Sequence, residues 1–209
     1  MSIIGVDIAY IRRALAAAVE MARFRDDPID RFDHTYEGFF RSFVAMVVAA
    51  PLYPLIVAGE RSLVTEAAQT QGGAQGFVLH AVNLPYCIIE AISYTAGWIL
   101  FPLVMIFIAR LVGASARYVP YIVAYNWGSC LVFVLTALMH LLHLAGVLPL
   151  AATSFLYFPI TMFALAYRWR IARLGLQVPG TTATGVVILD VLLSVFIAVS
   201  AGSLQGALA

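Results

Sequence analysis

YNWGSCLVFVLTALMHLLHL, residues 125–144, decides how this chain folds. The stretch is apolar enough for a bilayer, yet Asn126, Ser129, Thr136, His140 and His143 recur at steps of three, seven, four and three residues. At about 3.6 residues per turn these steps hold all five on one face of a single helix. A polar stripe on a membrane helix must face protein or water, so the rest of the chain is expected to surround it.

Composition agrees with a membrane setting. Of 209 residues, 63% are hydrophobic and only 11% charged, with mean hydropathy +0.94, which is too apolar for a water-soluble domain. The formal charge of +1 and the scattered basic residues give no footprint for nucleic acid. All twelve basic residues are arginine, as expected of a GC-rich, bacterial genome. Cys87 and Cys130 fall in apolar stretches at different depths and read as two small buried hydrophobes, not a disulfide.

Outward from the central stretch, residues 1–38 read as an amphipathic arm and 39–209 as a transmembrane domain. In the arm, Ile4, Ile8, Ile11, Leu15, Val19 and Ala22 form an apolar face opposite Asp7, Arg12, Arg13, Glu20 and Arg23. Asp7 and the arginine pair interrupt any apolar core, which excludes a cleavable signal peptide. Two roles are open to this helix: lying in the headgroups with its apolar face down, or packing on a protein partner or a second copy of the chain.

Spans are expected at about 39–58, 89–109, 119–144, 148–167 and 184–203. Pro51 and Pro54 predict a kinked or unwound first span, and Pro159 a break in the fourth. Residues 77–112 fit either two short spans or one span preceded by an interfacial or re-entrant piece holding His80, Asn83 and Pro85. The arginines choose the second. With five spans, the six arginines up to Arg41, Arg110 and Arg117, and Arg168, Arg170 and Arg173 share one side, leaving Arg61 alone opposite. The positive-inside rule then puts the amino terminus in the cytoplasm and the carboxyl terminus in the periplasm of a bacterial inner membrane. The run with Arg168, Arg170 and Arg173 reads as a lipid-facing basic stop for anionic lipids. In the fifth span, Asp190, Ser194, Ala198, Gly202 and Gly206 repeat every four residues, a small-residue face expected to pack closely inward.

Depth sorts the polar groups into two tiers. His80, Glu90, His140 and His143 lie on the outer side and offer three imidazoles and a carboxylate, a candidate set for zinc or another divalent metal. The same residues also fit a proton relay, or histidines bonding headgroups, water and backbone at the interface. On the inner side, Thr161 accompanies Asn126 and Asp190, which are matched in depth and expected to pair across spans three and five. That pair reads either as a structural hydrogen bond or as a proton or cation site. No sequence motif of hydrolases, nucleotide-binding or zinc enzymes is present. Ser129 and His140 are about 16 Å apart along one helix, too far to act as nucleophile and base. The chain therefore reads as non-enzymatic, with no cofactor beyond a candidate divalent metal.

The architecture of an amino-terminal cytoplasmic arm, five spans and an external carboxyl terminus, with YEGFFRSF at 36–43, WILFPLVMIFIARLVG at 98–113 and ARYVPYIVAYNW at 116–127, resembles the Yip1-like membrane proteins, in particular their bacterial members. Those strings carry no catalytic role to transfer. The DLAGP-type motif of the eukaryotic, trafficking relatives is not found here. The resemblance implies an all-α, five-span helical bundle with a membrane-organising or complex-associated role. The alternative from the residues is a small transporter or channel-like protein for protons or a divalent metal ion, using Glu90, His140, His143 and Asp190.

Overall fold

The computed structural model describes residues 8–23, 28–70 and 81–208. Its helices are α1 (Ile8–Ala22), α2 (Tyr36–Ser42), α3 (Val44–Ala49), α4 (Tyr53–Thr70), α5 (Leu84–Leu111), α6 (Tyr118–Leu144), α7 (Leu150–Leu176) and α8 (Gly180–Ala207). No strand occurs among the described residues. Five stretches are long and apolar enough to cross a membrane: Tyr36–Thr70, Leu84–Leu111, Ser115–Leu144, Leu150–Leu176 and Gly180–Ala207. The protein is an all-α, multi-pass membrane bundle.

The central helix is α6. Of its most apolar window 61% is buried inside the protein, against 28% for the first two spans and 11% for the last two. It touches α1, α2, α3, α4, α5 and α7, whereas α8 leans on α5 and α7. The α6–α7 hairpin is tight because glycines face the partner helix. A Cβ on Gly128 would meet Ile171 Cδ1 at 2.5 Å, and one on Gly175 would meet the Tyr121 backbone at 3.0 Å. Small residues at such crossings let helix backbones approach where lipid offers no hydrophobic drive.

The first span carries Pro51 in a short 3₁₀ turn, Ala50–Leu52, between α3 and α4, and Pro54 in the first turn of α4. Tyr94 Oη of α5 donates to the Met46 carbonyl at 2.5 Å and ties this irregular segment to its neighbour. Beyond the turn, α4 runs on to Thr70, so the helix does not end near residue 58. Pro159 does not break α7, which is continuous. Asn83 caps α5 by accepting from Tyr86 N at 2.9 Å and Pro85 sits in the first turn, so neither belongs to a re-entrant piece. His80 lies outside the described residues.

The amino-terminal helix uses a different face from the expected one. Tyr10, Ala14, Ala17, Ala18 and Met21 are buried, while Ile8 is 84% exposed. Alanines bring α1 close to the chain's own α6, where the Tyr10 and Trp127 rings meet edge to face with centroids 5.8 Å apart. Tyr167 Oη closes the joint by donating to the Ala18 carbonyl at 2.8 Å. Burial raises the Tyr10 phenol above its ordinary pKa, so it stays neutral. The alanine-rich face beside the expected one is thus taken up inside the molecule, and of the expected face Ile11, Leu15 and Ala22 are only partly buried.

Candidate functional site

Three helices meet at Asp190. Its carboxylate, only 3% exposed, accepts from Tyr125 Oη of α6 at 2.7 Å and pairs with Arg168 Nη1 of α7 at 2.5 Å. The Arg168 guanidinium also lies over the Tyr125 ring, 5.9 Å from its centroid. A carboxylate in a membrane bundle needs a counter-charge or a proton, and here the counter-charge comes from the next span.

Two expectations are corrected at this point. Asn126 does not pair with Asp190; its Nδ2 donates to Ser42 Oγ of α2 at 2.8 Å. Adjacent residues on a helix point about 100° apart, so Tyr125 turns to α8 while Asn126 turns to α2. Arg168 is not lipid-facing, because its guanidinium turns inward to Asp190. Arg170 and Arg173 stay at the end of the bundle, with Arg173 over the Trp169 ring at 5.3 Å.

At the other end, Glu90 accepts from Tyr53 Oη at 2.6 Å and from Gln205 Nε2 at 2.7 Å, joining α4, α5 and α8. His140 is fully buried, with Nε2 2.9 Å from Tyr157 Oη of α7. Gly59 makes room for it, since a Cβ there would lie 2.3 Å from His140 Nδ1. His143 Nδ1 is 3.0 Å from the Leu148 carbonyl, and its Nε2 is 3.6 Å from Glu66. Glu90, His140 and His143 therefore go to separate partners. Among the described residues no group of three or more His, Cys, Asp or Glu side chains could hold a metal ion. The expected metal set is not assembled from these three, and its fourth member, His80, lies outside the described residues.

Between the two ends lies a cavity of about 370 Å³. Sequence reading missed it. Arg168, Ser129 and Ser194 line it near Asp190, and Glu60, Glu90 and Gln205 line it at the far end. Its walls carry Tyr53, Tyr94, Trp98, Tyr125 and Phe133. Tyr94, Trp98 and Phe133 form one aromatic cluster, with centroid separations of 5.7 to 6.2 Å. The volume falls in the range of small-molecule sites, about 300 to 1,000 Å³. A second cavity of about 250 Å³ between α6, α7 and α8 shares Arg168 and Ser194 with the first.

The small-residue face of α8 explains the space. Ser194, Ala198 and Gly202 line the cavity, yet all three are exposed, so this face is not packed closely inward as expected. A Cβ on Gly202, or on Gly97 across the cavity on α5, would meet nothing within 4 Å. These glycines leave volume where those of α6 and α7 make contact. Glu60 lies two residues beyond the expected end of the first span; the continuation of α4 carries it to the cavity, where it stays exposed.

Chemically the arrangement is a mostly apolar, aromatic-walled chamber with acidic groups at one end and a neutralised arginine at the other. Cys87 is exposed on the protein surface and Cys130 buried, and the two are unpaired. No protein-family model matches the chain, and neither curated proteins nor solved structures show a significant match to it.

Proposed function

We propose that the protein is a non-enzymatic, multi-pass transporter-like protein of a bacterial inner membrane, which takes a small organic cation into the chamber between α4, α5, α6 and α8. One observation carries this reading: the chamber holds Glu60 and Glu90 within electrostatic reach of each other, while its arginine is already neutralised by Asp190. A carboxylate at the centre of a membrane helix costs about 2.5 to 3.5 kcal/mol on insertion scales, so Glu90, with the exposed Glu60 beside it on the cavity, calls for a proton or a cation. The rings of Tyr53, Tyr94, Trp98 and Phe133 suit an ammonium group carrying carbon substituents, which an aromatic face attracts and hydrophobic walls accommodate.

The distribution of arginines supports an amino terminus in the cytoplasm and a carboxyl terminus in the periplasm. A membrane-organising role of the Yip1-like kind would work through the amino-terminal helix, whose buried face is occupied by α6. Among the described residues no helix fills the chamber in that way, and for that reason it outweighs the helix as a guide to function.

Uptake of radiolabelled tetramethylammonium into proteoliposomes tests the proposal. The intact protein is expected to accumulate the cation above the level of empty liposomes. Glu60→Gln with Glu90→Gln should lower uptake by about tenfold or more, the equivalent of about 1.4 kcal/mol in binding, with little change in melting temperature. A double variant that transports as well as the parent would refute the reading. Acidification of the lumen in place of cation uptake, followed with a trapped pH dye, would replace the organic cation by protons.

A further inference from the structure

We propose that the pocket bounded by Arg117, Arg170 and Arg173, at the end of the bundle where α7 finishes, is a binding site for the phosphate of an anionic lipid headgroup. It is independent of the chamber and encloses about 500 Å³. Arg117 ends the 3₁₀ turn Ser115–Arg117 that leads into α6, and its Nε donates to the Gly175 carbonyl at 3.3 Å. That contact holds one guanidinium against the end of α7. Arg173 is held differently, spread over the Trp169 ring. Arg170 lies almost one turn before Arg173 and lines the same pocket.

The charge balance points to an anion. Three arginines line the pocket with a single acid, Asp30, and among the described residues neither Arg117 nor Arg173 forms an ion pair with a carboxylate. Guanidinium groups present planar forks of donors that match phosphate oxygens two at a time, which gives geometry as well as charge. Height points to a headgroup. The 27 residues of α7 span about 40 Å at 1.5 Å each, against about 30 Å of hydrocarbon, so its last turns emerge among the headgroups. Trp169 marks the same level, as indoles do at membrane interfaces. Ile29, Leu174 and Val178 complete an apolar rim on which the upper part of an acyl chain can rest.

Native mass spectrometry of the full chain in mild detergent, titrated with phosphatidylglycerol or phosphatidylcholine, provides the test. Phosphatidylglycerol is expected to be retained in preference to phosphatidylcholine. Arg117→Gln with Arg173→Gln should weaken its binding by about tenfold or more for each guanidinium removed, while Arg110→Gln, outside the pocket, leaves it unchanged. Should the double variant fail to fold, exposed Arg173→Gln alone carries the same test with the single-site loss. A competition arm separates the sources of phosphate. Lipid binding that survives millimolar inorganic phosphate supports the headgroup, whereas displacement by it overturns the lipid assignment in favour of free phosphate. Equal retention of phosphatidylglycerol by the parent and the glutamine variants would overturn the site itself.

Discussion

Asp190→Ala is expected to destabilise the protein by about 3 to 5 kcal/mol, the usual cost of removing one member of a buried ion pair. The loss comes from what remains. Arg168, with 23% of its side chain exposed, would face the bundle with no carboxylate, and Tyr125 Oη would lose its acceptor. Whole domains hold together by only about 5 to 15 kcal/mol, so this change takes a large share of the total. Asp190→Asn should cost less, because an amide oxygen still accepts from Tyr125. Removing both charges together, as Arg168→Met with Asp190→Leu, should restore much of the stability, since no uncompensated ion is left behind. Melting curves in detergent for the three variants check the order: alanine lowest, asparagine between, double variant nearest the parent. An Asp190→Ala protein that melts with the parent would show that the triad holds nothing together.

Filling the chamber is expected to abolish cation uptake without harming the fold. Gly97 and Gly202 line it from opposite helices, and each has open space where a side chain would begin. Leucine at both positions puts two branched side chains into about 370 Å³. Glycine inside a helix costs roughly 0.5 to 1 kcal/mol relative to alanine, so its replacement removes a backbone penalty as it closes the space. Uptake should fall to the level of empty liposomes while the melting temperature holds or rises. The contrast with Gly128 is informative: a Cβ there collides with Ile171, so the same substitution should damage the α6–α7 crossing. Leucine variants of Gly97 and Gly202 that transport normally would place the path elsewhere.

The polar stripe on α6 was legible because helical period and hydropathy act within one segment. Asn126, Ser129, His140 and His143 are all buried, as a polar face in a bilayer must be. What each one meets was not legible. Matched depth brought Asn126 and Asp190 to the same level, yet depth says nothing of azimuth, and Tyr125, one residue earlier, holds the angle that reaches α8. The three strings on which the resemblance rests converge on one place. Phe39 meets Tyr118 with centroids 5.8 Å apart, Phe101 stacks on Tyr125 at 4.5 Å, and Ser42 bonds Asn126.

The small residues of α8 show a second limit. Their four-residue spacing marks a face able to pack, but spacing cannot tell which of its residues a neighbour covers, and Ser194, Ala198 and Gly202 stay exposed although α8 leans on α5 and α7. Here side-chain bridges at both ends, Asp190 to Tyr125 and Arg168 and Gln205 to Glu90, join α8 to the spans around the chamber. In α1 the large aliphatic residues drew the eye, whereas packing against α6 selected alanines for close approach, with Tyr10 and Met21 filling the ends.

The proposed function requires a chamber that admits water and favours cations. Cysteine at Ala198, on the wall of the chamber, in a Cys87→Ser background, measures both through reaction with membrane-impermeant methanethiosulfonates. Relative to their rates with a free thiol, the trimethylammonium reagent should react faster than the sulfonate reagent by about tenfold or more, and Glu60→Gln with Glu90→Gln should erase the preference. A cysteine inert to both reagents, or equally reactive with each, would contradict the account.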